Sequence, residues 1–524
     1  MKPAQEIEIK FAAPAQVLSR LQHQFVAKAI HTAKPKSVVS VYFDTEKLNL
    51  HKHGLTLRVR RNGKQRLQTV KAVDGQAVTT RGEWEHAVQS DQPDFTAVRG
   101  TPAEKILSKK KIRSTIKPIF ETRVTRTTYP VKIGRSLIEV AFDQGEIDTG
   151  QESAPLSEVE LELKRGKAID LFQLAKAIAH KAPLELALVS KAERGYRLIS
   201  GESAPSKAVT VTLKPEMSSS QAFQAIVRAC LRQLTDNVPV LRQGDPEGLH
   251  QARVAVRRLR AAMSLFGELL RDDGTQNVKN ELKWLMGEFG PAREMDVLTE
   301  RLAKTSDTQF WSPDGAPKEL KTLGKELDGK RRRAFQRAQA AVASARFRLL
   351  LIDVAAWIEA GGWLETDAPM TKVERDRLIT KFAAGELERR WKKILKRGRK
   401  LRELDPGRRH KLRIQVKKTR YAAEFFADVF PSRKARRRCK SFLSLIEPLQ
   451  DCLGDLNDIV LDLQLAAKLA TRQKKKLRGD QTAQQAFAAG ELAGQEEARV
   501  DAVMAAAEKS YTAATRFGSE PRLS

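Results

Sequence analysis

The stretch Gln5-Glu6-Ile7-Glu8-Ile9-Lys10-Phe11 alternates charged and apolar residues near the start of the 524-residue chain. Because successive side chains of a β-strand point to opposite faces, Glu6, Glu8 and Lys10 share one face of the predicted strand. A charged strand face is usually the solvated side of a sheet. Here, however, the same alternation recurs in later runs as far as Lys164, which indicates one charged face shared by many strands.

Residues 1–200 are predicted to be rich in strands. Further alternating runs, separated by Gly, Pro and Asp, are Val38–Phe43, Leu55–Arg60, Arg66–Val73, Arg81–Val88, Ile119–Val131, Leu137–Asp143 and Val159–Lys164. Short helices are predicted at Pro14–Lys28, Pro102–Lys109 and Ala168–His180. Eight or so antiparallel strands with few helices are typical of a sandwich or a closed barrel. We therefore expect an α+β multidomain protein that begins with an antiparallel β-sandwich or an eight-stranded antiparallel β-barrel.

The charged strand face carries arginines on some strands and paired carboxylates on others. The arginine run is Arg58-x-Arg60, and the carboxylates are Glu83, Glu85, Glu139, Asp143, Glu158, Glu160 and Glu162. The interior of an eight-stranded barrel holds about one small ligand, and charges buried there need partners. Carboxylates suit Mg²⁺ or Mn²⁺, whereas Arg and Lys suit phosphate oxygens. The pattern predicts metal-assisted phosphoryl transfer, with a solvated sheet face as the alternative.

This ordered set of residues resembles the CYTH domains, also called triphosphate tunnel metalloenzymes. The matching positions, in the order of the family, are Glu6-x-Glu8-x-Lys10, Arg58-x-Arg60, Lys71, Arg81-x-Glu83-x-Glu85, Arg126, Asp143, Glu160-x-Glu162 and Ser190-Lys191. The resemblance covers residues 1–200, which we assign to a CYTH domain. It implies that these strands form an eight-stranded antiparallel barrel, or tunnel.

The resemblance implies a role for each matching residue. Glu6, Glu8, Glu160 and Glu162 are the expected catalytic acids, and with Asp143 they are the expected ligands of Mg²⁺ or Mn²⁺. The expected triphosphate-binding residues are Lys10, Arg58, Arg60, Lys71, Arg81, Arg126 and Lys191. Glu83, Glu85 and Asp143 are expected to hold a second metal or to orient the arginines. One departure from the family is Ala141, where many members have a second acid after Glu139.

A linker is predicted at 201–217, and helical periodicity begins at residue 218. Two segments repeat one pattern: His250-Gln-Ala-Arg253-Val-Ala-Val-Arg257-Arg258-Leu-Arg260 and His410-Lys-Leu-Arg413-Ile-Gln-Val-Lys417-Lys418-Thr-Arg420. Positions i, i+3, i+7 and i+10 span less than about a quarter of a helix circumference. Such crowded like charges are costly without an anion. We predict an all-α domain at 218–515, with pseudo-repeats at about 218–370 and 371–515 whose basic stripes face each other.

This doublet resembles the CHAD domain, a helical domain associated with inorganic polyphosphate. The resemblance implies polyphosphate binding by His250, Arg253, Arg257, Arg260, His410, Arg413, Lys417 and Arg420, with Arg258 and Lys418 at the edge of the same surface. A solvated basic face and nucleic-acid binding are the alternatives. Aromatic residues make up only 6% of the chain, and no interleaved set for base stacking is present, so nucleic acid is disfavoured.

Composition agrees with a polyanionic partner and excludes several classes of protein. The formal net charge is +31. Three cysteines without a CxxC pair argue against a disulfide framework or a zinc site, and no signal peptide or membrane span is evident. We expect a cytoplasmic protein that hydrolyses inorganic triphosphate to diphosphate and phosphate. It would also carry a polyphosphate-binding module, which would allow association with polyphosphate granules. Alternatives are a non-catalytic polyphosphate-localised protein and a triphosphatase for thiamine triphosphate or a nucleotide.

Overall fold

The computed structural model describes residues 7–26, 33–72, 82–201, 205–306, 318–365, 369–472 and 480–516. Its N-terminal half contains one antiparallel sheet of nine strands. They are β1 Ile7–Ala12, β2 Lys36–Asp44, β3 Leu55–Asn62, β4 Gln65–Ala72, β5 Gly82–Ala87, β6 Lys117–Ile133, β7 Ser136–Asp148, β8 Ser153–Arg165 and β9 Glu185–Leu186. The strand order is β5-β4-β3-β2-β6-β7-β8-β1-β9.

The sheet differs from the predicted eight-stranded barrel in two respects. The short strand β9 pairs with the outer edge of β1, where Phe11 lies opposite Leu186, and this adds a ninth strand. Within the described residues no pairing joins β5 to the β1–β9 edge, so the sheet curves around a space without closing by hydrogen bonds. The antiparallel sheet and the helical second half are nevertheless as predicted.

Six helices accompany the sheet: α1 Ala15–Val26, α2 Asn49–Lys52, α3 Glu104–Leu107, α4 Lys110–Arg113, α5 Ala168–Lys181 and α6 Lys191–Ser200. Helix α6 was not predicted, although it begins at the Ser190-Lys191 motif, where the Ser190 hydroxyl accepts a hydrogen bond from the backbone N–H of Glu193. Gly195 lets α6 lie directly on β6, because a Cβ atom there would come within 2.2 Å of the Phe120 ring. This packing holds Lys191 at the concave face of the sheet.

Helices make up the regular structure of the described residues from Ser219 onward, apart from one isolated β-bridge between Ser218 and Leu378. These helices are α7 Ser219–Arg242, α8 Pro246–Leu265, α9 Asp273–Ser306, α10 Lys318–Ala343, α11 Ala345–Ala360, α12 Gly362–Glu365, α13 Pro369–Asp376, α14 Ile379–Gly398, α15 Pro406–Phe425, α16 Arg433–Arg472 and α17 Asp480–Arg516, with a 3₁₀ turn at Leu401–Glu403. The loop predicted at Asp307–Pro317 lies outside the described residues. None of the helices within the described ranges is long and apolar enough to span a membrane.

The internal repeat is visible in how equivalent helices begin and continue. Asp245 caps α8 and Asp405 caps α15, and each is followed by a proline at the first helical position. The long helices that follow, α9 and α16, each contain an internal proline, Pro291 and Pro448. The pairs α8–α9 and α15–α16 are therefore equivalent halves of one helical domain.

The sheet domain and the helical domain share one hydrophobic core. Buried residues of α5, among them Ala175 and Ile178, belong to the same cluster as Leu350 and Val354 of α11. An ion pair of 2.7 Å between Lys176 and Asp353 closes the edge of this contact. Separating the two halves would expose this apolar surface to water, so each half is best studied in the full chain.

Candidate functional site: an ionic tunnel and a basic cleft

The concave face of the sheet encloses a cavity of about 690 Å³. The sequence-predicted residues that line it are Glu8, Lys10, Arg58, Arg60, Lys71, Glu83, Glu85, Arg126, Asp143, Glu160, Glu162 and Lys191. Glu6 and Arg81 lie outside the described residues. Strand parity thus brings charged residues of seven of the described strands, together with Lys191 of α6, to one space, which we call the tunnel.

Strand register places the acids of three neighbouring strands in line. Glu8 of β1 lies opposite Glu162 of β8, which lies opposite Glu139 of β7. Directly paired residues have Cβ atoms about 5 Å apart, so these carboxylates form one row. In the next row, Lys10 and Ala141 flank Glu160. The departure at Ala141 therefore removes an acid from the Glu160 row and leaves the first row complete.

Glu160 is the centre of an ion-pair network on this wall of the tunnel. Its carboxylate lies 3.0 Å from Lys10 Nζ, 2.6 Å from Arg126 and 2.6 Å from Lys191 Nζ. Burial opposes ionisation of Glu160, but Lys10, Lys191 and Arg126 together hold its pKa well below its usual value. Burial likewise opposes the charge of Lys191, yet Glu160, Glu158 and Asp143 raise its pKa. Glu160 and Lys191 therefore each favour their charged forms.

Asp143 forms ion pairs with two cationic side chains, Arg126 and Lys191. Its two oxygens accept hydrogen bonds of 2.7 and 2.6 Å from Arg126, and Lys191 lies 2.9 Å away. This arrangement favours the expected alternative in which Asp143 orients the tunnel arginine. Arg123, which has the opposite strand parity, is half exposed on the outer face and pairs with Glu146 and Asp148. Arg126 therefore points into the tunnel, whereas Arg123 points to the outer face.

The opposite wall of the tunnel is richer in cations. Glu83 pairs with Arg58 at 3.2 Å and with Lys71 at 2.8 Å. Burial would raise the pKa of Glu83, but Lys71 and Arg58 lower it to about 2. Burial and the nearby Arg58 lower the pKa of Lys71 to about 8. A further anion close to Lys71 would therefore stabilise its charged form.

Arg60 is the tunnel cation with the least compensation. Neighbouring Arg58, burial and Arg126 lower its pKa to about 10. Among the residues that the structure describes, no carboxylate forms an ion pair with Arg60, and the buried Nε atoms of Arg58 and Arg60 have no hydrogen-bond partner. Unpaired buried donors are costly, and phosphate oxygens would satisfy them.

The carboxylate row has the chemistry of a site for a hard divalent cation. Lys164 lies 2.6 Å from Glu162 and 3.4 Å from Glu139, while Lys10 lies 3.1 Å from Glu8. With these lysines in place, no group of three or more acidic, His or Cys side chains within the described residues has metal-binding geometry. The donors are nevertheless oxygen-only and adjacent, which fits Mg²⁺ or Mn²⁺.

Two residues of the tunnel were not assigned a site role from the sequence. Glu139 completes the acid row, and Lys164 bridges Glu139 and Glu162. Both residues lie on the same strand face as the assigned acids. The alternation along β7 and β8 could therefore have identified them. Glu158 is deeper, 1% exposed, and links Lys191 to Arg194 at 2.9 and 2.8 Å.

The second predicted site lies where α8 and α15 face each other, and we call it the basic cleft. Burial, Arg257, Arg413, Arg420 and Arg253, in that order, lower the pKa of Lys417 to about 8. Because Arg253 and Arg257 belong to α8 whereas Lys417 belongs to α15, the two stripes meet. Burial and Arg257 also lower the pKa of Arg253 to about 10. One nitrogen each of Arg253 and Arg257 is buried with no hydrogen-bond partner within the described chain.

The two predicted histidines occupy equivalent places beside the long helices. The Nδ1 atom of His410 lies 2.7 Å from the side-chain oxygen of Asn457. In the first repeat Arg293 takes the position of Asn457, and burial together with Arg293 lowers the pKa of His250. His250 therefore gains a proton only at more acidic pH than an unperturbed histidine.

Three predicted cleft residues have different surroundings. Arg420 pairs with Glu424 at 2.6 Å, and Arg260 is exposed near Lys418. The prediction that Arg258 lines the edge of the surface is wrong. Its side chain is 8% exposed, pairs with Glu424 at 2.7 Å and lies 4.9 Å from the Phe425 ring centroid. One residue turns a helix by about 100°, which directs Arg258 between α8 and α15.

The described fold joins a sheet domain with an ionic tunnel to a helical domain with a basic cleft, and comparison with protein families agrees with this division. The CYTH domain model matches residues 4–196, and the CHAD domain model matches residues 225–467. The chain therefore carries a CYTH domain followed by a CHAD domain.

Known proteins resemble each half separately. An inorganic triphosphatase of Haemophilus influenzae is 33% identical over 199 residues, which are 37% of this chain and 55% of that protein. The chain thus spans about half the length of this curated relative. Among solved structures, the CHAD domain of the plant Ricinus communis is 29% identical, covers 59% of this chain and 97% of its own, and has a TM-score of 0.47. A putative adenylyl cyclase from Hippeastrum, described as having a dominant triphosphatase activity, is 18% identical over 38% of this chain and 98% of its own, with a TM-score of 0.26.

Proposed function

We propose that the tunnel hydrolyses inorganic triphosphate to diphosphate and phosphate with a divalent metal ion. The observation that carries the proposal is the combination of an acid row, Glu8–Glu162–Glu139, with Arg60 on the opposite wall, a cation that pairs with no carboxylate among the described residues. A site for anion capture alone would not need the acids. The name of the Haemophilus influenzae relative supports inorganic triphosphate as the substrate.

The roles of the side chains follow from their charges. Arg60, Arg58 and Lys71 would bind the oxygens of one end of the triphosphate, and Arg126 with Lys10 and Lys191 would bind the other. Holding the chain extended aligns the terminal phosphorus, the attacking water and the leaving diphosphate. Glu8, Glu162 and Glu139 would hold Mg²⁺ or Mn²⁺, with Glu160 beside them, and Glu6 is expected to join this set.

The bound metal ion supplies charge neutralisation and a water of lowered pKa. In the reaction, a water oxygen bonds to the terminal phosphorus while the bridging P–O bond breaks, releasing diphosphate, phosphate and a proton. Because Lys10 and Lys164 neutralise the acid row in the present arrangement, these lysines would shift toward the substrate oxygens when the metal ion binds.

We further propose that the basic cleft binds inorganic polyphosphate. Lys417, Arg253 and Arg257 lie close together, with burial and mutual repulsion but few acids to offset their charges. A polyphosphate chain would supply the missing negative charge along both stripes. The same chemistry could tether the protein to polyphosphate granules.

Phosphate release by the full chain tests the tunnel assignment. Inorganic triphosphate, ATP and thiamine triphosphate would be compared in Mg²⁺, in Mn²⁺ and in EDTA. We expect fastest release from inorganic triphosphate and none in EDTA. Faster release from ATP or thiamine triphosphate would instead favour an organic substrate, and no release from any of them would leave a polyphosphate-localised binding protein.

A further inference from the structure

A second cavity, of about 660 Å³, lies between the two domains. Its walls are largely apolar and come from both halves of the chain. Leu186 and Leu188 line it from the sheet domain, whereas Val238 of α7 and Phe347 and Leu351 of α11 line it from the helical domain. Cavities of this size with apolar walls and few polar groups, located at domain interfaces, are typical small-molecule sites.

Four arginines interrupt the apolar lining, and the structure balances them unequally. Arg194 pairs with Glu158 at 2.8 Å, and Arg197 lies 3.4 Å from Asp236. These two guanidinium groups are thus neutralised by carboxylates.

The remaining two arginines, Arg242 and Arg348, are less well satisfied. Arg242 pairs with Glu185 at 2.7 Å, but its Nε atom is buried without a hydrogen-bond partner in the described chain. Arg348 donates to the backbone oxygen of Ala343 at 2.9 Å. It has no carboxylate partner within the described ranges, and its buried Nε atom is also unsatisfied. The cavity therefore offers Arg348, for which the described residues provide no carboxylate, and the buried Nε atom of Arg242, whose carboxylate partner Glu185 also lines the cavity.

We propose that this interdomain cavity binds an amphiphilic organic anion. A carboxylate or phosphate head would accept hydrogen bonds from Arg348 and Arg242, because guanidinium groups match both oxyanions. An apolar body would pack against Leu186, Val238 and Leu351. Inorganic phosphate alone would leave these apolar walls wet, and a neutral apolar molecule would leave the guanidinium groups unsatisfied. The proposal is independent of what the tunnel hydrolyses.

Isothermal titration calorimetry on the full chain tests the proposal. The probes are decanoate and decyl phosphate, both below their critical micelle concentrations. Decyltrimethylammonium is the control with the opposite charge, and inorganic phosphate is the control without an alkyl chain. We expect saturable 1:1 binding of at least one decyl anion, in the presence of saturating inorganic triphosphate, and neither of the other two probes to bind at this site. Binding of decanoate alone would identify a carboxylate ligand, and binding of decyl phosphate alone would identify a phosphate ligand.

Matched variants localise the binding. Arg348→Ala is expected to weaken binding of the decyl anion at least tenfold. Arg346→Ala, two residues along α11, is the control, because Arg346 is exposed, pairs with Glu281 at 2.8 Å and lies outside the cavity lining. Ala187→Phe, which places a ring in the cavity, is expected to abolish binding. The proposal is overturned if no decyl anion binds, if the decyl cation binds equally well, or if Arg348→Ala and Arg346→Ala bind alike while both retain the unfolding temperature of the original protein.

Discussion

The tunnel and the basic cleft both gather cations, but they differ in what surrounds those cations. In the tunnel, Lys191 has three carboxylates within 2.9 Å, and its pKa is raised. In the cleft, the charged neighbours that shift the pKa of Lys417 are all arginines, and it falls to about 8. Mixed charges hold side chains in fixed places and provide ligands for a metal ion, which reaction chemistry needs. Charges of one sign provide only attraction for a polyanion.

The largest expected effect comes from the acid row of the tunnel. Glu162→Gln keeps the shape of the side chain but removes one negative charge from the row. We expect the turnover of inorganic triphosphate to fall by roughly 10²-fold or more, since metal-ion stabilisation contributes several kcal/mol. Glu146→Gln is the control, because Glu146 lies on the outer face beside Arg123. Equal rates for the two variants would refute a catalytic acid row.

A change at Arg60, on the opposite wall of the tunnel, is expected to affect triphosphate binding. Arg60→Ala removes the tunnel cation that lacks a carboxylate partner among the described residues, so we expect triphosphate to bind about 10- to 100-fold more weakly. Arg61→Ala removes the adjacent arginine, which is exposed and lies 3.7 Å from Asp91. Initial rates over a range of triphosphate concentrations would measure KM for both. A KM that rises equally in both variants would mean that the tunnel position of Arg60 is unimportant.

Removing a cation from the cleft is expected to have a moderate effect on polyphosphate and none on triphosphate hydrolysis. Arg253→Ala should weaken polyphosphate binding by about tenfold and make its salt dependence shallower by about one unit in the log–log slope. Arg389→Ala on α14 is the matched control, because Arg389 is half exposed and pairs with Glu386 at 2.7 Å. Fluorescence anisotropy of labelled polyphosphate at several salt concentrations measures both quantities. Identical binding by the two variants would remove the cleft assignment.

The smallest expected effect is a dependence of polyphosphate binding on pH. With a pKa of about 8, Lys417 is mostly charged at pH 7 and mostly neutral at pH 9, so affinity should fall several-fold over this range. Lys417→Arg should keep its charge and reduce the fall. Below pH 6, protonation of His250 would tighten binding, but at lower pH than for a free histidine. An affinity that stays constant from pH 7 to 9 would contradict the role of Lys417.

Strand parity explains why so much of the tunnel could be predicted from the sequence. A period of two fixes which residues share a face, so Arg58, Arg126 and Glu160 are brought to one space whatever the details of the sheet. Parity does not reveal which acid pairs with which cation. The choice of Asp143 as the partner of Arg126, and the bridging role of Lys164, depend on the register of the β6–β7 and β7–β8 hairpins, which the alternation alone does not set.

Helical periodicity predicted less of the basic cleft than strand parity predicted of the tunnel. It identified the two stripes but not the burial of Arg258, because the stripe angle alone does not show which neighbouring helix covers the next residue. Nor did the sequence indicate the cavity between the domains, because its walls come from α7, α11 and the segment around β9. Contacts between elements far apart in the chain have no local pattern.

The most direct test measures the properties of both sites in full-length variants that each alter one site. Phosphate release from inorganic triphosphate and binding of labelled polyphosphate would be measured for the original protein, for Glu162→Gln and for Arg253→Ala. We predict that Glu162→Gln loses most metal-dependent release but keeps polyphosphate binding, and that Arg253→Ala keeps release but binds polyphosphate about tenfold more weakly. Full activity in Glu162→Gln, or loss of both properties in either folded variant, would contradict the division between a tunnel for chemistry and a cleft for capture.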